Sequence, residues 1–111
     1  MFISIHRYEN GKFWPHLKES NYDYIGASEG RGYNVNIPLN EVGCGDADYM
    51  AVFWNIIWPL ATQFNPDFII VSAGEAIKRL FYGTSLVFFL CLLILFQFCY
   101  LQLHRILIQL K

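Results

Sequence analysis

The chain changes character after the segment Val71-Ser72-Ala73-Gly74. Before it, β-forming residues, turn residues and an amphipathic pattern follow one another as in an α/β protein, whereas residues 86–103 form an almost unbroken apolar run. The 111 residues leave room for one small domain, and an apolar content of 55% exceeds what a soluble domain of that size needs. We therefore expect part of the apolar surface to be buried outside an ordinary core.

The first part of the chain predicts two strands separated by a long loop. Residues 2–5 are rich in β-formers, and residues 33–39 alternate before Pro38, which suits a strand that pairs on few sides. Residues 7–32 between them are polar, aromatic and punctuated by glycine, and loops of this length usually have a function.

A helix and a third strand follow. Asp46 is expected to cap the helix, Pro59 to bend it, and Asn65-Pro66 to end it. Residues 68–72 are continuously apolar, as is typical of a parallel strand covered on both faces. Three-four spacing predicts that one face of the helix is buried, with Tyr49, Met50, Phe53, Trp54, Ile57 and Leu60 on it. The order predicts an α/β fold in which three parallel strands share one long, right-handed crossover helix.

In parallel sheets, ligands bind at the carboxyl ends of the strands. His6, Leu39 and the segment Ser72-Ala73-Gly74 are therefore predicted to face any functional site. His6, His16, Cys44, Asp46 and Asp48 lack the repeated spacing of a metal site, so loop histidines and a helix cap explain them better. The three cysteines, two of them in the apolar run, are expected to be reduced and structural.

Four segments carry a family resemblance. They are Ser4-Ile5-His6-Arg7-Tyr8-Glu9-Asn10-Gly11-Lys12-Phe13-Trp14-Pro15-His16-Leu17-Lys18-Glu19-Ser20, Gly30-Arg31-Gly32-Tyr33-Asn34-Val35-Asn36-Ile37-Pro38, Asp46-Ala47-Asp48-Tyr49 and Phe64-Asn65-Pro66-Asp67-Phe68-Ile69-Ile70-Val71-Ser72-Ala73-Gly74. In this order they resemble class II zinc-dependent histone deacetylases, beginning after the metal-binding strand of that family. Within the first segment, residues 13–20 are most similar to the first catalytic domain of the cytoplasmic tubulin deacetylases, and the polyamine deacetylases are the next most similar group.

The resemblance implies a partial arginase/deacetylase-like domain over residues 1–74, from a family that hydrolyses acetyl-lysine amides with zinc. Two zinc ligands and the histidine pair of the family lie on an Asp-x-His-His-Gly segment upstream of Met1. The third ligand belongs to a Phe-Asp-Ala sequence, where this chain has Glu75-Ala76-Ile77, and the family's Gly-Gly-Tyr is also missing. Because catalytic zinc needs three protein ligands, Glu75 alone cannot hold it. No catalytic residue and no metal ligand is assigned, and the chain is expected to be inactive.

The resemblance does assign residues around the substrate. Trp14 matches the aromatic wall of the acetyl-lysine tunnel, although the residues alone favour a packing role for Phe13-Trp14-Pro15. Ser4 and Ile5 match ligands of a structural potassium ion, and Tyr33 matches a carbonyl ligand of a second one. Acetylated histone tails and tubulin are the implied partners, in the cytoplasm or nucleus. The net charge of −1, without a basic stripe, argues against nucleic acid.

The remaining residues divide into a divergent junction (75–85), the apolar run (86–103) and a short polar tail (104–111). The thirteen Leu, Ile, Val or Phe residues of the run favour insertion of a helix into a membrane by about 4 to 8 kcal/mol. The run is therefore either a transmembrane helix or the product of a truncated or misassembled reading frame. The N-terminal residues are not expected to form a secretory signal. Two competing interpretations remain: the chain is a non-catalytic interaction fragment, or it is a single-pass membrane protein. Residues 1–74 alone are expected to be marginally stable.

Overall fold

A computed structural model describes residues 1–73 and 105–110. Its centre is a parallel four-stranded sheet in the order β2-β1-β4-β3. The strands are β1 (Phe2–Arg7), β2 (Asn34–Leu39), β3 (Phe68–Ala73) and β4 (Arg105–Leu110). All four carboxyl ends lie at the same edge because the strands are parallel.

The first three strands confirm the predicted α/β fold, and β4 corrects the predicted number of strands. Residues 105–110, assigned above to a short polar tail, lie between β1 and β3 and pair with both. Four of the six residues of this segment are apolar, and two of them, Ile106 and Ile108, are strong β-formers. The strand was missed because His104, Arg105, Gln109 and Lys111 made the segment after the apolar run look like a polar tail.

A single helical segment of 19 residues connects β2 to β3, which lie at opposite ends of the sheet order. It consists of α1 (Asp46–Val52), one wider π-helical turn (Phe53–Ile57) and α2 (Trp58–Phe64). Pro59 stands at the start of α2, and since proline has no N–H and crowds the preceding turn, it accounts for the π turn at this point, while the predicted bend stays a prediction.

The two ends of the helical segment differ in how well the sequence predicts them. Asn65 ends it with a left-handed backbone (φ 49°, ψ 65°), directly before Pro66, as predicted. At the other end the prediction for Asp46 is wrong, because Gly45 holds the cap position and Asp48 makes the capping contact. The Asp48 carboxylate accepts a hydrogen bond of 2.8 Å from the Gly45 N–H.

The core lies between the helical segment and one face of the sheet. Its members are Ile3, Ile5, Ile37, Phe53, Ile57, Ala61, Ile69 and Ile108. Trp54, predicted to be buried, is 50% exposed, because the π turn changes the phase of the helix between Phe53 and Ile57. The predicted burial of β3 on both faces is also wrong: Ile69 is 2% exposed, but Phe68 and Ile70 are 51% and 47% exposed. Among the described residues, helix covers only the Ile69 face.

The predicted junction 75–85, Glu75 and the predicted helix 86–103 lie outside the described residues. Within the described ranges 1–73 and 105–110, no helix combines the length and the apolar character that crossing a membrane requires.

Candidate functional site at the carboxyl edge of the sheet

The long loop predicted over residues 7–32 leaves β1 at the carboxyl edge. It contains three short 3-10 turns, Glu9–Gly11, Lys18–Ser20 and Ser28–Gly30, and no longer regular element. Its first part is tied to the end of β2, since the Tyr8 N–H donates to the Leu39 carbonyl at 2.9 Å and the Asn10 N–H to Asn40 Oδ1 at 2.8 Å.

Ser4 and His6 of β1 fix the middle of this loop through a hydrogen bond to Ser20. His6 Nε2 lies 2.8 Å from the Ser20 carbonyl oxygen, which can only accept, so Nε2 carries the hydrogen. In the neutral ring Nδ1 is then an acceptor, and the Ser4 hydroxyl donates to it at 2.9 Å. Ser4 is 5% exposed, so its hydroxyl orients the partly buried imidazole and is not a nucleophile open to substrate.

Two asparagines of β2 hold the loop in the same way. The Asn36 side-chain amide donates to the carbonyls of Glu19 (2.8 Å) and Asn21 (3.1 Å), and the Asn34 amide donates to the carbonyl of Tyr24 (3.2 Å). Together with the His6 contact, these bonds engage the three consecutive carbonyls 19–21. The loop is therefore fixed to the sheet through its main chain.

The tip of the loop carries the aromatic residues singled out in the sequence. Phe13 is held by the Arg7 guanidinium, whose carbon lies 4.3 Å from the ring centre, and Arg7 also forms an ion pair with Glu9. His16 Nδ1–H donates to the Gly11 carbonyl at 3.0 Å. Trp14 is 75% exposed, so it does not anchor the loop against the sheet, and its ring is available for contact with another molecule.

The residues matched to potassium ligands lie at two different positions along the strand direction. Ser4 and Ile5 are buried in β1, and Tyr33 precedes β2 near the amino edge. The Tyr33 carbonyl accepts a hydrogen bond of 2.7 Å from the Phe2 N–H, which links the starts of β1 and β2. Since Asn34 pairs with Phe2, Tyr33 and Ser4 are separated by about three residues, or roughly 10 Å, along the strands.

The other metal-binding residue types are not brought together. In the described part of the chain, no three His, Cys, Asp or Glu side chains form a group that could hold a metal ion. The chain's own residues, as far as they are described, therefore do not fit a catalytic zinc ion. Cys44 has a free thiol that contacts the Glu41 carbonyl at 3.4 Å. Burial raises the pKa of the nearby Tyr49 hydroxyl, and Cys44 and Asp48 add to this effect.

A second feature, an open cleft of about 490 Å³, lies at the amino edge and was not predicted. It is lined by residues that include Arg31, Tyr33 and Phe64, and the last two rings contact edge to face with centres 6.2 Å apart. Nothing in the sequence marks it, because its wall combines Met1 and the residues that precede β2 with the end of α2.

Comparison of the sequence with known proteins identifies the family to which the chain is similar. Residues 1–79 match the model of the histone deacetylase domain. Over 74 residues, or 67% of the chain, the sequence is 55% identical to histone deacetylase 6 of Caenorhabditis elegans and 50% identical to the human polyamine deacetylase HDAC10. The chain spans only 8% and 11% of the length of these relatives.

Solved structures agree with the sequence comparison. The structure of the histone deacetylase Clr3 matches with a TM-score of 0.71 at 26% identity, and the crystal structure of the HDA15 HD domain matches with 0.70 at 30% identity. Each alignment covers 100% of this chain, and 19% and 32% of the respective deacetylase chains. The parallel sheet, the helical segment and the matched residues together lead to one conclusion: the chain belongs to the histone deacetylase domain family and carries part of that domain.

Proposed function

We propose that this chain contributes a substrate-binding surface of a class II lysine deacetylase domain and does not hydrolyse acetyl-lysine by itself. The observation that supports the proposal most directly is the exposed Trp14 ring on a loop that the sheet holds through main-chain contacts. A flat apolar ring on a fixed loop suits the four-carbon stem of an acetylated lysine. Acetylated protein tails, including those of histones and tubulin, are the proposed ligands.

The lack of hydrolysis is proposed from the roles that the polar side chains already have. His6 uses one ring nitrogen to donate to Ser20 and the other to accept from Ser4, and Asp48 caps the helix. The deacetylase family depends on zinc, which supplies a Lewis acid and an activated water when it is bound. Since the described residues do not fit that ion, the contribution of this chain is to bind and orient the acyl-lysine stem.

Binding is tested by fluorescence anisotropy with a labelled acetyl-lysine peptide and the full chain. We expect the Trp14→Ala variant to bind about tenfold more weakly, because the stem loses its apolar wall. Trp54→Ala is the matched control, since Trp54 is also exposed but lies on the helical segment. Equal affinities for the acetylated and unacetylated peptides would contradict the proposal.

Hydrolysis is tested on the same peptide with and without a chelator. We expect no release of acetate under either condition. Turnover that the chelator abolishes would show that the chain holds catalytic metal, and the non-catalytic part of the proposal would be wrong. An acetylated polyamine serves as competitor, because one relative is a polyamine deacetylase. If it displaces the peptide at equal or lower concentration, the proposed preference for protein tails fails.

A further inference from the structure

The strand β4 fills a space that the rest of the sheet cannot close. β1 and β3 do not pair with each other, and β4 pairs with β1 from Phe2↔Leu107 to Ile5↔Leu110 and with β3 from Phe68↔Arg105 to Ala73↔Leu110. Without it, two strands would lie two strand spacings apart, or roughly 9.6 Å, with the facing N–H and C=O groups of both unpaired.

The register of β4 suits both faces of the sheet. On the helix-covered face Ile108 stands between Ile3 and Val71, and Ile108 is completely buried. On the opposite face, Gln109 stands between Ser4 and Ser72. A slip by one residue would put Gln109 on the helix-covered face and Ile108 beside Ser4 and Ser72, so the neighbouring pair Ile108-Gln109 favours this register.

Sequence and structural comparisons differ over this same segment. The curated relatives match 67% of the chain and the family model ends at residue 79, yet both deacetylase structures align over the whole chain. The tail thus adds a strand to a deacetylase-like sheet from beyond the residues that the family model matches. Proteins also bind extended peptides by adding them as a strand to a sheet or by inserting them between its strands, and a tail that fills the space between β1 and β3 would be the intramolecular form of such insertion.

We propose that residues 105–110 are a self-complementing strand, and that the space between β1 and β3 is a binding site for one extended segment that places an apolar residue at position 108 and a polar residue at position 109. Its occupant is the tail of the same chain. The proposal also constrains topology. A single membrane crossing between Ala73 and Arg105 would put β3 and β4 on opposite sides of a bilayer, whereas their pairing requires both on the same side.

Hydrogen exchange of the full-length chain tests the proposal. We expect the amides of residues 106–109 to exchange as slowly as those of residues 69–71, because both segments belong to one sheet. The matched variant exchanges two neighbours, Ile108→Gln together with Gln109→Ile, which keeps composition and charge but inverts the alternation. We expect it to lose at least about tenfold of the protection in the tail.

Three results would overturn the proposal. The first is exchange of the wild-type tail at the rate of an unstructured peptide. The second is unchanged tail protection in the swapped variant, which would show that register is not specified. The third is tail protection found only in a dimer by light scattering, which would place the tail in the slot of a second copy. Labelling the two chain ends, Met1 and Lys111, with a reagent that cannot cross membranes gives an independent readout. If the two ends are labelled from opposite sides of a membrane, β4 cannot pair with β1 and β3 of the same chain.

Discussion

Replacing isoleucine by valine at two neighbouring positions of β3 measures which face of the sheet is covered. Ile69 is 2% exposed and Ile70 is 47% exposed, although they are adjacent and both lie in the same strand. Removing one buried methylene costs about 0.8 kcal/mol in transfer free energy, and the cavity it leaves raises the expected loss for Ile69→Val to about 1 kcal/mol. At Ile70 about half the transfer term remains, or about 0.4 kcal/mol, with no cavity term because the site is open to solvent.

Urea unfolding of the full-length chain, followed by circular dichroism, gives both free energies. Valine is β-branched like isoleucine, so strand propensity is preserved and each variant is the control for the other. With a slope of about 1–3 kcal/mol/M, the expected loss at Ile69 lowers the midpoint by roughly 0.3–1 M, and that at Ile70 by less than half as much. Equal losses at the two positions would refute one-sided coverage and show that both faces of β3 are buried in solution.

Three further changes test single contacts. Because burial raises the pKa of Tyr49 above its ordinary value near 10, its contribution to stability is complete below that pH and is lost as the pH rises further; Tyr49→Phe should therefore lose less stability than wild type in alkaline urea titrations. Asn65→Ala should lower the free energy of unfolding by about 1 kcal/mol, because alanine tolerates the left-handed backbone poorly, whereas Asn65→Gly should lower it by less or not at all. Ser4→Ala should cost about 1 kcal/mol and speed amide exchange in residues 18–21, because His6 loses the donor that orients it; unchanged exchange would show that the ring is held without it.

The elements that could be predicted are those whose signals are local. The helical segment follows from the three-four spacing around Phe53 and Ile57, and its end follows from Asn65-Pro66. β2 carries Pro38 and pairs only with β1 among the described residues, as expected for a strand that pairs on few sides. In each case, neighbouring residues alone decide the backbone conformation.

The misses share a different cause, because tertiary structure decides them. The continuous apolar run of β3 indicates burial on both faces only where a second layer exists, and Phe68 shows that the described chain does not provide one. β4 is defined by the gap it fills rather than by its own boundaries. Trp54 came out exposed because a π turn inserts one extra residue between helix phases. For the site, only the family resemblance singles out Trp14, since exposed and buried aromatics look alike in a sequence.

The way the sheet holds residues 19–21 bears on how such a loop can evolve. Asn36 and His6 bind carbonyl oxygens, which every amino acid supplies, so the identities of Glu19, Ser20 and Asn21 can drift without releasing the anchor. Substitutions at the tip of the loop, around Trp14, can then change ligand preference while the hydrogen bonds between the sheet and residues 19–21 are kept. We therefore expect residues 19–21 to tolerate many substitutions, and His6 and Asn36, whose side chains bind their carbonyls, to tolerate few.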